Sequence, residues 1–137
     1  MGNRIGIIFH ENWQDFSPLL YSHYGAELIP FQLQQYIKNY YQKYDMKSND
    51  GHLYNPSHMM AGFINYLAES VHIRVENLTK ENIDKLQSEN KYLNSFDGGC
   101  WIINVSKDNY GETVVGDNYW LENGNILNDR LRNDYEE

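Results

Sequence analysis

The sequence predicts an α+β fold: a single domain holding a mostly antiparallel sheet of about five strands, with two to three helices packed on one face. Three observations carry this expectation. Short segments alternate apolar and polar residues with the period of a strand. Others repeat apolar residues every three or four positions, as a helix does. Gly, Asn, Asp and Pro punctuate the intervals between them. At 137 residues the chain has the length of one domain. That domain is placed over residues 1–122, with a polar tail over 123–137.

Arg4 to His10 alternates, with Ile5, Ile7 and Phe9 on one side, and reads as the first strand. Glu11 to Pro18 is rich in turn formers and reads as a loop. Leu19 to Tyr24 reads as a second strand that pairs back on the first and ends at Gly25. Pro30 suits the first turn of a helix, where its missing N–H costs nothing. The stripe Ile29, Leu33, Ile37, Tyr40 and Tyr44 continues that helix. Asp45 to Asn55 is a polar loop. Asn55 then caps a second helix with Pro56 at its start and Met60, Phe63, Ile64 and Leu67 on its buried side.

Val71 to Leu78 alternates again and reads as a half-exposed strand. Thr79 caps a short third helix running to Asn90, with Glu81 well placed in its first turn. Asp97-Gly98-Gly99 is a turn leading into a strand from Cys100 to Ser106. Asn109-Tyr110-Gly111 turns the chain into a returning strand, Glu112 to Trp120. A short helix around Ile126 to Leu131 fits the tail.

Composition narrows the function classes. Nineteen acidic residues against eleven Lys and Arg give a formal charge of −8. A duplex binder needs clustered cations to displace counterions, and the sequence has no such cluster, so direct DNA or RNA binding is not expected. Cys100 is the only cysteine, which excludes an internal disulfide and suits a reducing, cytoplasmic setting. No window approaches a membrane span, and Met1 to Phe9 is too short for a signal peptide.

The common phosphate cradles, G-x-G-x-x-G and G-x-x-x-x-G-K-[ST], are absent, as is the G-x-S-x-G nucleophile elbow. The five histidines, His10, His23, His52, His58 and His72, show no metal-ligand spacing, and no metal or cofactor is expected. Cys100 beside Trp101 reads as buried and inert rather than nucleophilic. No residue is assigned a catalytic role.

The segment with the most chemical content is Leu20-Tyr21-Ser22-His23-Tyr24-Gly25. It is a strand end carrying two phenol rings and an imidazole, followed by a glycine and a helix. Such an end could clasp a base, with an anion at the helix start. The plainer reading is that the tyrosines pack as core with wet hydroxyls and Gly25 turns the chain; that is the commoner case. Trp13, Tyr54 and Arg74 complete the candidate binding set of Trp13, Tyr21, His23, Tyr24, Gly25, Tyr54 and Arg74. For Arg74 the alternative is a surface ion pair with Glu76 or Glu69.

The same string resembles a group of small bacterial and phage proteins. Their shared pattern is a strand ending Leu-Tyr-x-His-Trp-Gly, a second helix opened by an aromatic-Asx-Pro-like turn, and a late Asp-Gly strand. Here these are Leu20 to Gly25, Tyr54-Asn55-Pro56-Ser57, and Asp97-Gly98-Gly99 before Cys100 to Val105. Tyr24 replaces the usual Trp, and Ala26 the usual second Gly. The resemblance covers residues 4 to 106 and implies a small cytosolic, often phage-borne protein. In size and lack of catalytic motifs the chain is similar to the sponges with which phages sequester nucleotide immune signals.

Three functions follow as expectations. The first is a non-catalytic binder that sequesters a small nucleotide, of cyclic-nucleotide or ADP-ribose type, against host defence. The second is an acidic inhibitor docking on a host protein such as a nuclease, motivated by the charge and by Asp134, Glu136 and Glu137. The third is a hydrolase with His23 as general base, oriented by Asp97 or Glu27. Twelve Tyr and three Trp further lead to the expectation of a homo-oligomer.

Overall fold

In the computed structural model, residues 4–25, 28–44, 55–67, 72–89, 96, 98–106 and 109–115 are described. The first strand, β1 (Ile5–His10), is the centre of the sheet and is buried along its whole length. Antiparallel to it on one side runs β2 (Leu19–Ser22), with β3 (Arg74–Glu76) beyond at the sheet's outer edge. On the other side β4 (Cys100–Asn104) lies parallel to β1, and β5 (Thr113–Val115) returns antiparallel to β4. The order β3-β2-β1-β4-β5 makes a five-stranded sheet with three antiparallel pairings and one parallel pairing. The fold is therefore α+β with a mostly antiparallel sheet.

Three helices complete the described fold: α1 (Ile29–Tyr44), α2 (Pro56–Leu67) and α3 (Lys80–Glu89). The predicted caps are present. Asn55 Oδ1 accepts the His58 N–H at 3.0 Å, and Thr79 Oγ1 accepts the Asn82 N–H at 3.1 Å, each meeting an orphan donor of a first turn. Among the described residues no helix is long and apolar enough to cross a membrane.

The alternation of β1 assigns its side chains to two cores. Ile5, Ile7 and Phe9 join Leu20, Trp101 and Ile103 beneath Leu33 and Ile37 of α1 and Met59 and Phe63 of α2. Ile8 joins Leu19, Cys100, Ile102 and Leu86 of α3 on the opposite face. Two helices thus pack on one face, as expected, while α3 lies on the other, so the expectation of all helices on one face is corrected. The physical reason lies in β1 and β4, which are apolar at successive positions. A strand buried on both faces needs cover on both.

β2 and β3 are shorter than expected. Of the predicted segment from Val71 to Leu78, only Arg74–Glu76 pairs as a strand, and all three residues are exposed. The second strand stops at Ser22 rather than Tyr24. Tyr54, Asp97, Glu27 and the expected tail helix lie outside the described residues.

Candidate functional site

The outer edge of the sheet brings predicted binding residues together. Tyr21 on β2 stands directly across from Arg74 on β3, and cross-strand partners project on the same side of a sheet. The Arg74 guanidinium lies over the Tyr21 ring, 4.7 Å from its centroid. That is the geometry of a cation–π contact. The ring also tilts against Phe96, with centroids 5.6 Å apart. The Tyr21 hydroxyl and His23 Nδ1 are hydrogen-bonded at 2.9 Å, the imidazole tautomer deciding which group donates. The His23 ring in turn meets Tyr24 edge to face, with centroids 4.5 Å apart. Tyr24 is 70% exposed.

These side chains surround a cleft of about 120 Å³ lined by Tyr21, His23, His72, Ile73 and Arg74. Enclosed ligand sites run from roughly 300 to 1,000 Å³, so the cleft has room for one ring or one phosphate and leaves the rest of a nucleotide outside it. Arg74 is also paired with Glu76, Nη2 to Oε1 at 2.9 Å, so the ion pair weighed as the plainer reading of this residue is present as well. The two residues are two apart on one strand and share a face.

Gly25 has a packing explanation. A Cβ there would fall 2.7 Å from Ser22 Oγ and 2.9 Å from Ile29 Cγ1, inside contact distance. Its carbonyl accepts the N–H groups of Leu28 (3.2 Å) and Ile29 (2.8 Å), starting α1. Ser22 is fixed as well, its hydroxyl donating to the His72 carbonyl at 2.8 Å. Gly25 therefore holds the strand-to-helix corner beside the cleft.

Trp13 lies elsewhere. It sits in a tight hairpin closed by reciprocal backbone hydrogen bonds of 2.9 Å between Glu11 and Gln14. Asn12 (φ 49°) and Trp13 (φ 63°) both adopt left-handed backbone, as a two-residue type I′ turn requires. Trp is a poor residue for that conformation. Its ring is nonetheless held by stacking on His10 at 4.7 Å, and Phe16 stacks on the same imidazole at 5.5 Å. His10 is 2% exposed, and its Nδ1 accepts the Trp13 N–H at 2.8 Å. Burial lowers its pKa to about 4, so at neutral pH it is an uncharged imidazole.

Asparagines bind this hairpin to the ends of β1 and β4. Asn12 Oδ1 accepts from Asn104 Nδ2 (2.9 Å), Ser106 Oγ (3.0 Å) and Asn109 Nδ2 (2.9 Å). Asn104 Oδ1 accepts the N–H groups of Asn12 (3.2 Å) and Ser106 (2.9 Å). Sequence reasoning did not find this cluster. The available signal was Asn12-Trp13 flanked by turn formers, but its partners are some ninety residues away.

Cys100 is not placed to act as a nucleophile. Cys100 is fully buried and its thiol is pushed far up by desolvation. Among the described residues no carboxylate pairs with His23, and no group of three or more His, Cys, Asp or Glu is placed to hold a metal ion. Comparison with protein-family models, with curated proteins and with solved structures returns no match for this chain.

Proposed function

We propose that this protein is a non-catalytic binder of a small nucleotide, gripped at the Tyr21–His23–Arg74 cleft. The observation that carries the reading is the Arg74 guanidinium poised over the Tyr21 ring in an open cleft. An aromatic face takes a base, and a planar guanidinium takes a phosphate in a two-pronged hydrogen bond. The imidazole of His23 and the exposed ring of Tyr24 extend this surface outward. Holding without cleavage fits a sponge, and the resemblance to phage-borne proteins makes a host immune signal the ligand it would sequester in the bacterial cytoplasm.

The small volume bears on assembly. A nucleotide seated here leaves most of its surface uncovered by one protomer, and a second copy over the Tyr24 rim would close it. This supports the expected homo-oligomer.

The test is native mass spectrometry of protein purified from cells running an active nucleotide-signalling defence, alongside an Arg74→Ala variant. The wild type is expected to carry a nucleotide mass that the variant lacks. A wild type free of any small molecule, or equal retention by the variant, would overturn the assignment.

A further inference from the structure

In the unliganded cleft Arg74 already has two partners, and they correspond to the two halves of a nucleotide. The Tyr21 ring occupies its flat side at 4.7 Å, where a base would compete. The Glu76 carboxylate occupies its hydrogen-bonding edge at 2.9 Å, where a phosphate would compete. Strand geometry enforces the second pairing: Arg74 and Glu76 are alternate residues of β3, facing Tyr21 and Leu19 of β2 respectively.

We infer that Glu76 is a built-in stand-in for the ligand's phosphate, which a phosphorylated nucleoside must displace from Arg74 and a neutral one need not. This rests on the reading of the cleft as a nucleotide site. A phosphate brings up to two negative charges and several acceptor oxygens to a guanidinium that the carboxylate holds with one charge. Displacing Glu76 is therefore favourable for a phosphate and without compensation for a hydroxyl. The pair is open to water, with side chains 65% and 46% exposed, so the exchange needs no unfolding of the edge. Glu76 acts through Arg74 and is a positioning residue that tempers the cleft's affinity for phosphate.

The same carboxylate also sets a ceiling on affinity. While it stands beside Arg74 it repels the incoming phosphate, so its removal strengthens binding only for ligands that carry one.

The experiment is isothermal titration calorimetry at low salt on the wild type and on Glu76→Gln. The probes are adenosine and guanosine, compared with AMP, GMP, cyclic AMP, cyclic GMP and ADP-ribose. Glu76→Gln is expected to tighten the phosphorylated probes by about fivefold, the upper range for an exposed ion pair, and to leave the nucleosides unchanged. Circular dichroism of the variant should match the wild type. If phosphorylated probes bind but Glu76→Gln changes nothing, or changes nucleosides equally, the role of Glu76 is refuted while the cleft reading stands. If no probe binds either protein, the nucleotide reading fails and this inference falls with it.

Discussion

At the outer edge of the sheet, Tyr21, His23 and Arg74 present rings and charge to solvent. At the carboxyl ends of β1 and β4, His10, Asn12, Trp13 and Asn104 present similar chemistry to one another. In the second region Asn12 Oδ1 takes three donors and Asn104 Oδ1 takes two, all from within the chain. In the first region the Arg74 edge is held by one exposed carboxylate. A polar cluster whose lone pairs are met by its own donors is a clasp. One whose strongest group is held by an exchangeable, solvated partner can take a ligand. Richness in polar and aromatic residues does not separate the two; the bookkeeping of partners does.

The largest expected effect lies in the clasp. Asn104→Ala removes the acceptor for two backbone N–H groups and should destabilise the fold by about 3 kcal/mol, measured by urea unfolding. Nucleotide retention per folded molecule should not change. A loss below about 1 kcal/mol would show that water replaces the amide and that the clasp is not structural.

Acid should loosen the same region. The folded-state pKa of His10 is lowered to about 4 from 6.5, so below pH 6.5 the unfolded chain takes up a proton that the native one refuses. Stability contributed by the neutral imidazole is present above pH 6.5, declines as pH falls toward 4, and amounts to up to about 3 kcal/mol. His10→Asn keeps an acceptor near the Trp13 N–H and should flatten stability between pH 7 and 5. Parallel pH profiles for the two proteins would remove His10 as the cause.

A third change addresses the corner between the regions' scaffolds. Gly25→Ala forces a methyl against Ser22 Oγ and Ile29 and should cost about 2 kcal/mol. Thermal unfolding reports it, and an unchanged melting temperature would mean that the corner shifts freely. The smallest stability effect belongs to the cleft. Arg74→Ala should alter unfolding by no more than about 0.5 kcal/mol while abolishing ligand retention. A large stability loss there would make Arg74 a second clasp and erase the contrast.

Much of this architecture was legible in the sequence. Local signals placed β1, β4, α2 with its Asn55 cap and α3 with its Thr79 cap, since alternation and capping act over a few residues. The parallel pairing of β1 with β4 was not legible, because nothing local distinguishes a parallel neighbour from an antiparallel one. The side taken by α3 was missed for a related reason. Ile8 and Ile102 interrupt the apolar-polar alternation, and that second apolar face is what α3 covers.

For the candidate site, the strand-end string locates Tyr21, His23 and Tyr24, and the half-exposed strand from Val71 to Leu78 carries Arg74. Trp13 was grouped with them on aromatic character alone. Its backbone is committed to a turn, and its ring belongs to His10. The Asn12–Asn104 pairing is long-range and could be read only once the strands were aligned.

The parallel ladder between Gly6–His10 and Cys100–Asn104 also has a consequence in time. During synthesis β1 is followed by its hairpin partner β2 within about ten residues. Its other neighbour is not made until about ninety residues later. Through that interval an Ile-rich strand has one edge unpaired, the condition under which nascent chains stick to one another. Such distant closure also slows folding relative to hairpin-only sheets. Soluble yield is therefore expected to respond to chaperone supply, which shields such an edge until its partner strand is made.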